Sequence, residues 1–225
     1  YKEPNIKHKK ERLVGCECRK WYAEWTDNNM LKKYLSGKVL DIGFAGYLNE
    51  VVPITEDAIG VDLNYPGYDG IHLPFDNESI DGILSSHMLE HVPTENVSKT
   101  IQEMYRVLKK DKHIVITVPH KYLYEKKACL PSLYNRDHKR FYTPSSLLSE
   151  IESALEPNSY RVELLKDNDK EFNYLIPPEK HSSGCYEILC ILKKIEKPYW
   201  QLSKHTQLML ENFYALSIFE KFFDL

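Results

Sequence analysis

Apolar residues recur along the chain in two distinct spacings. Short, almost uninterrupted apolar runs at 38–43, 58–62, 80–85 and 113–119 predict buried β-strands, and 160–165 and 187–193 predict two more. Between them, apolar positions three and four residues apart predict helices over 21–35, as one helix or two short ones, and over 94–109. Thr143 followed by Pro144 predicts another helix start, because threonine caps helices and proline suits the first turn.

Strands that alternate with helices predict an α/β fold with a doubly wound, mostly parallel sheet. We expect residues 37–196 to form one ligand-binding domain, preceded by an arm and helix at 1–36. The charged stretch over 1–20 predicts a solvated arm. Residues 197–225 predict a C-terminal helix packed on the same domain, or, as the alternative, the contact of a homodimer. Pro66 and Gly67 predict a loop where such sheets usually have a third strand, so that region should be shortened.

The composition of the chain argues against some kinds of binding partner. A net charge of -3 over 225 residues provides no broad cationic surface, so we expect no nucleic-acid partner. No apolar run reaches the ~20 residues of a membrane span. The odd number of cysteines and the absence of a CxxC pair favour reduced thiols in the cytoplasm. No histidine and carboxylate grouping has metal-ligand spacing, so no metal is expected. The five cysteines are Cys16, Cys18, Cys129, Cys185 and Cys190.

Polar and glycine residues follow the ends of the first two predicted strands. The first strand runs into the turn Asp41-Ile42-Gly43-Phe44-Ala45-Gly46, and Asp62 ends the second. Ligands bind at the carboxyl ends of strands in open α/β sheets, where glycines let a ligand approach the backbone and an acid can accept the hydroxyls of a ribose. This pair of features fits a nicotinamide dinucleotide and S-adenosylmethionine (SAM) equally well.

Three downstream motifs separate these alternatives. They are Leu73-Pro74-Phe75, the segment Ser85-Ser86-His87-Met88-Leu89-Glu90-His91, and the helix end Arg106-Val107-Leu108-Lys109. In this order, with the glycine turn and Asp62, they resemble class I SAM-dependent methyltransferases, in a compact branch often found in bacterial surface-glycan pathways. The resemblance covers residues 38 to 120, with a looser match through 141–147. It implies a Rossmann-like methyltransferase fold, SAM as cofactor and S-adenosylhomocysteine as product.

The resemblance also implies roles for individual residues near the cofactor. The turn residues would line the methionine and ribose end, Asp41 would orient the turn or the ammonium group, and Asp62 would bind the ribose. The family usually has small residues where this chain has Phe44 and Ala45, which puts the approach of the backbone in doubt. The implied cofactor-binding residues are Asp41, Gly43, Phe44, Ala45, Gly46, Asp62, Leu63, Asp69, Gly70, Leu73, Ser85, Ser86 and His87.

The acceptor is expected to be a small or glycan-related molecule methylated at a hydroxyl, which needs a group to take its proton. The candidate bases, in order, are His138, His120 and His87, whereas His91 is expected to be structural. A surrounding set of cations suggests a phosphate-bearing acceptor, with a solvated surface as the alternative. Two rival functions are a non-catalytic SAM-fold binding protein and a nicotinamide-dependent oxidoreductase. The cations are Lys121, Lys126, Lys127, Arg136, Lys139 and Arg140.

Overall fold

The computed structural model describes residues 13–15, 17–45, 51–126, 135–198 and 208–212. Its centre is a six-stranded sheet with the order β2-β1-β3-β4-β6-β5. Strands β1 to β4 are parallel, whereas β6 runs antiparallel to β4 and β5 antiparallel to β6. The strands are β1 (Val39–Ile42), β2 (Ile59–Val61), β3 (Ile80–Ser86), β4 (Leu108–Pro119), β5 (Tyr160–Asn168) and β6 (Glu187–Lys194). The predicted α/β fold with a mostly parallel, Rossmann-like sheet is confirmed.

Helices flank this sheet where the periodic apolar segments predict them. The segment predicted over 21–35 forms two helices, because Asn29 adopts a left-handed φ of 56° between them. Thr143 caps the fourth helix through a reciprocal pair of hydrogen bonds with Ser146, and Pro144 is its first residue, as predicted. The helices are α1 (Arg19–Asp27), α2 (Met30–Tyr34), α3 (Thr94–Val107) and α4 (Pro144–Ala154), with a 3₁₀ turn at Leu89–His91 and a π-helical turn at Lys121–Glu125.

Alternating strand residues supply two cores, one on each face of the sheet. Leu40 and Ile83 pack in the cluster that contains the buried faces of α3 and α4. Their neighbours Val39 and Leu84 point to the opposite face and pack with the aromatic residues of α1 and α2. Because both faces are covered, apolar side chains lie on both sides of the central strands, most continuously at Ile114, Val115 and Ile116 of β4.

The region between β2 and β3 contains no strand, as the short spacing predicts. Arg106 holds this loop from the end of α3. Its guanidinium forms two hydrogen bonds of 2.8 Å with the carboxylate of Glu103, and it donates to the backbone oxygens of Leu73 and Phe75 at 2.9 Å. The backbone N–H of Leu73 donates in turn to Glu103 at 3.1 Å. The motif at 73–75 and the motif at 106–109 are therefore two halves of one hydrogen-bonded structure.

The described part of the N-terminal segment differs from the solvated arm that its charge predicts. Val14 is buried, and Cys18 is buried against the aromatic cluster of Trp21 and Trp25. The two apolar side chains anchor this stretch, and the charged residues between them do not prevent it from packing on the sheet.

At the other end of the chain, the structure describes only 208–212 of the predicted C-terminal helix. These residues are helical and exposed. The packing of the remaining tail and its part in a homodimer stay predictions, as does the division at 36/37 and 196/197. Among the described residues, no helix has the length and apolar character needed to cross a membrane.

Candidate functional site

A cavity of about 800 Å³ opens at the carboxyl ends of β1, β2 and β3. Its volume lies in the range of small-molecule and cofactor sites. One end is formed by the turn after β1, by Asp62 and Leu63 after β2, and by the loop 68–71. We call this the turn end. The other end is formed by residues after β3 and by residues of 135–139, and we call it the histidine end.

The turn after β1 brings bare backbone to the cavity. Gly43 has a φ of +76°, and its N–H donates to the oxygen of Val61 at 2.8 Å. A Cβ added at this position would lie 3.0 Å from the side chain of Met88. Glycine is therefore required here both for its conformation and for its lack of a side chain. Asp41 also lines the cavity, and its Oδ2 accepts a 2.7 Å hydrogen bond from the N–H of Ile54.

Phe44, which departs from the small residues usual in the turn, is accommodated by a second glycine. Gly60 lies under the Phe44 ring, and a Cβ at residue 60 would come within 2.4 to 2.8 Å of three ring atoms. The Phe44 ring therefore occupies the space that a side chain at residue 60 would need. The bulky side chain does not close the turn end, since Phe44 and Gly60 fit each other.

We expect Gly60→Ala to lower the free energy of unfolding by about 1–3 kcal/mol, because overpacking displaces the Phe44 ring. Phe44→Ala in the same background should recover most of that loss. Urea unfolding of the wild type, both single variants and the double variant measures the coupling. Losses that simply add in the double variant would contradict the proposed packing.

Asp62 and the loop 68–71 form the rest of the turn end. Oδ1 of Asp62 accepts a hydrogen bond from the N–H of Leu63 at 2.8 Å, and the Leu63 side chain is 74% exposed although it is large and apolar. Asp69 accepts the N–H groups of Ile71 and His72, and these bonds lower the pKa of its carboxyl. Burial beside Asp62 and Asp69 raises the pKa of Tyr68 to about 12.

Some residues predicted to bind the cofactor or to accept the acceptor's proton do not line the cavity. Leu73 is fully buried in the core, and Ser85 is fully buried, and neither lines the cavity. The ring of His120 also lies outside the cavity lining, where Nδ1 accepts the N–H of Tyr122 at 3.1 Å and Nε2 lies 3.4 Å from Asp167. Gly46 is outside the described residues. The other predicted residues line the cavity together: Asp41, Gly43, Phe44, Ala45, Asp62, Leu63, Asp69, Gly70, Ser86, His87 and His138.

His87 lies between the two ends and is surrounded by carboxylates. Its Nε2 lies 2.9 Å from Glu187 and 3.9 Å from Glu17, and its Nδ1 lies 3.5 Å from Glu90. Burial opposes protonation of the ring, but the three carboxylates prevail and raise the pKa of His87. Contacts with three carboxylates fix the ring in place, so His87 is better suited to positioning than to general-base catalysis.

The histidine end is built around Glu90, His91 and His138. Glu90 and His138 are buried, at 0% and 6% exposure. One carboxylate oxygen of Glu90 and one ring nitrogen of each histidine lie within 4.8 Å of one another. Nδ1 of His138 lies 3.0 Å from Oε1 of Glu125. Burial, with His138 nearby, lowers the pKa of His91, and burial raises that of Glu90.

The charge of the lining residues limits what the cavity can bind. Among the described residues that line it, six are carboxylates, one is a lysine, Lys139, and three are histidines, His87, His91 and His138. Such a lining attracts cationic ligands and repels phosphate groups. The six carboxylates are Glu17, Asp41, Asp62, Asp69, Glu90 and Asp137.

The cations suggested for a phosphate-bearing acceptor do not gather at this cavity. Arg140 pairs with Glu150 and donates to Thr94 and to the Tyr142 hydroxyl. Lys126 donates to the backbone oxygen of Lys180. Lys127 is outside the described residues, and only Lys139 of the set lines the cavity.

Sequence reasoning missed several residues that line the cavity. Glu17 belongs to a segment expected to be solvated, and Tyr68 lies in a loop without periodicity. Glu90 and His91 were within a recognised motif, but their link to His138 joins positions 47 residues apart, which no spacing rule detects. The lining residues not predicted include Glu17, Cys18, Tyr68, Ile71, Met88, Glu90, His91, Tyr124, Asn135 and Lys139.

Comparisons with known proteins relate this chain to methyltransferases. Residues 40–116, about a third of the chain, match a family described as a methyltransferase domain. A SAM-dependent methyltransferase from Archaeoglobus fulgidus has a similar fold, with a TM-score of 0.50, 20% identity, and 77% of this chain and 92% of that chain covered. The methyltransferase component of a complex with the Haloferax volcanii Trm112 activator gives a TM-score of 0.51 at 14% identity, with 81% and 98% covered. No curated protein matches the chain. Residues 40–116 are thus similar to a methyltransferase domain, and the fold resembles that of SAM-dependent methyltransferases.

Proposed function

We propose that the protein methylates a hydroxyl group of a small acceptor, with sugars and glycan precursors as the first class to test. The observation that carries this proposal is one continuous cavity with two different ends. The turn end has glycine backbone and carboxylates suited to a nucleoside. The histidine end has buried groups suited to a polar acceptor.

At the turn end, the residues present fit SAM. When bound, SAM supplies a methyl group activated by its positive sulfonium. Gly43 and Ala45 would face its methionine and ribose portion, Asp62 would accept the ribose hydroxyls, and the exposed Leu63 side chain would be covered by the adenine. The surrounding carboxylates favour a ligand that carries positive charge on its sulfonium and ammonium groups.

The same charges argue against a nicotinamide dinucleotide. Its pyrophosphate would enter a cavity whose described lining offers one lysine against six carboxylates. In dinucleotide sites the pyrophosphate is stabilised by a helix N-terminus. Here the turn is followed by residues 46–50, outside the described residues, and the first helix after β1 that the structure describes is α3.

At the histidine end, we propose that His138 activates the acceptor hydroxyl. Glu125 fixes the ring by binding Nδ1, which leaves Nε2 as the nitrogen available to another group. Positioning an acceptor against the donor can supply up to ~7–11 kcal/mol of the barrier. His87, held by Glu187, would orient the polar groups between the two ends.

Release of S-adenosylhomocysteine tests this proposal. The protein, supplied with SAM, is incubated with matched sugars and amino sugars that present a hydroxyl or an amine. We expect product with hydroxyl acceptors and a methyl ether by mass spectrometry. SAM binding without any release across the panel would favour the non-catalytic binding protein, and release with amines alone would contradict O-methylation.

A further inference from the structure

We propose that Glu90, His91 and His138 bind one divalent transition-metal ion of the Zn²⁺ or Mn²⁺ type. The spacing of these residues along the chain does not suggest such a site, and only the fold brings them together. Metal binding itself is independent of the proposed function. The role we give the ion, holding the acceptor oxygen, rests on it.

The first argument is the state of the Glu90 carboxylate. The residue is fully buried, lines the cavity, and neither side-chain oxygen has a hydrogen-bond partner among the described residues. The nearest basic group, Nδ1 of His87, lies 3.5 Å from Oε1, and the other nitrogen of that ring is already engaged by Glu187. An ionised carboxylate that is buried without a hydrogen bond is costly. Protonation does not resolve this, because the carboxylic acid would then carry an O–H donor without an acceptor. A cation bound by the carboxylate satisfies it.

The second argument is the chemistry of the three ligands. Two imidazoles and one carboxylate are a common donor set for zinc and other divalent transition metals, and three protein ligands leave at least one position open. Ligand atoms around a tetrahedral zinc ion are about 3.4 Å apart, given metal–ligand bonds of about 2.1 Å. The present spread of 4.8 Å requires a contraction of up to about 1.4 Å to reach that geometry. The side chain of His91, at 39% exposure, has room to rotate.

The third argument is that the outer shell of such a site is already present. Metal-binding histidines usually donate their second nitrogen to a carboxylate or a backbone oxygen, which fixes the ring. Glu125 lies 3.0 Å from Nδ1 of His138. The His138 ring therefore has one nitrogen engaged and one available. Two histidines with a structural role alone would not need, beside them, a buried carboxylate that forms no hydrogen bond.

The site also accounts for the acidic lining of the histidine end. A divalent ion would offset the charge of Glu90 and provide an open position facing the cavity. An acceptor hydroxyl bound there would have a lowered pKa, so its proton could leave to solvent water near neutral pH. His138 would then promote activation as a ligand of the ion, and Nε2 would contact the ion in place of the acceptor hydroxyl.

Metal titration of the chelator-treated full chain tests the site directly. We expect one equivalent of Zn²⁺ to bind by calorimetry, and Co²⁺ to give the visible absorption of a low-coordinate nitrogen and oxygen site. Glu90→Gln and His138→Asn should abolish the Co²⁺ absorption. Glu125→Gln should weaken binding about 10–100-fold, as outer-shell changes do. His72→Gln, in an exposed side chain outside the cavity lining, is the matched control.

The outcomes separate this inference from the proposed function. SAM affinity is measured on the same metal-free samples, and thermal unfolding shows whether each variant is folded. Failure of the wild type to bind Zn²⁺ or Co²⁺ overturns the metal site and leaves the methyltransferase proposal intact. Binding that Glu90→Gln and His138→Asn leave unchanged overturns it too, because the ion would then lie elsewhere. Metal binding without SAM binding would instead refute the proposed function.

Discussion

His138→Asn is expected to lower turnover by about 10²–10⁴-fold while SAM affinity stays within about twofold. The range is that typically lost with a group that assists proton transfer. His138 lies at the histidine end, is buried, and is fixed by Glu125, whereas the turn end is formed by other elements. The same loss is expected whether the ring acts directly or through a bound ion.

Single-turnover rates and SAM calorimetry on the same preparation measure these two quantities. His120→Asn is the informative comparison, because its ring lies outside the cavity lining and is bonded to Tyr122. We expect its turnover to fall less than about tenfold, since general-base loss alone costs more. Equal turnover in His138→Asn and the wild type would remove His138 from the mechanism. A larger loss in His120→Asn would reverse the order of the two residues.

Asp62→Asn is expected to weaken SAM binding by roughly 30- to 150-fold. The substitution keeps an oxygen for the N–H of Leu63 and removes the charge that the ribose hydroxyls would face. Hydrogen bonds to charged groups contribute about 1.5–3 kcal/mol, and a loss of about 2–3 kcal/mol corresponds to that range of affinity. Stability should change little because Asp62 is only partly buried.

Calorimetric titration of SAM into Asp62→Asn and the wild type measures the effect. Asp57→Asn is the matched control, since this exposed carboxylate lies shortly before β2 and outside the cavity lining. We expect it to bind SAM as the wild type does. Equal weakening in both variants would mean that general electrostatics, and not a specific contact, governs the affinity.

The sheet could be predicted from the sequence because burial on both faces leaves a local trace. The central strands carry apolar residues on both sides, most continuously in the second half of β4, and α3 and α4 show helical spacing on their buried sides. The residues of the turn end could be predicted from the sequence for a similar reason. Gly43 and Asp62 directly follow strands, and the carboxyl ends of parallel strands meet at one edge.

The histidine end was harder to predict from the sequence because its contacts join distant parts of the chain. Motif order pointed to Leu73 and to the segment around His91, but it does not reveal which side chains turn inward. Leu73 proved to be core, held by Arg106, and Ser85 is buried in the sheet. His120 and His138 occupy loops of similar composition, and only the fold separates the ring that faces the cavity from the ring that does not.

Calorimetric titration of SAM into the unmodified protein, beside an identical titration of NAD, tests the central claim most directly. A cavity lined by six carboxylates and one lysine, with its glycine turn beside Asp62, predicts one equivalent of SAM bound and no measurable heat with NAD. Binding of NAD in preference to SAM, or no heat with SAM at all, would contradict the account.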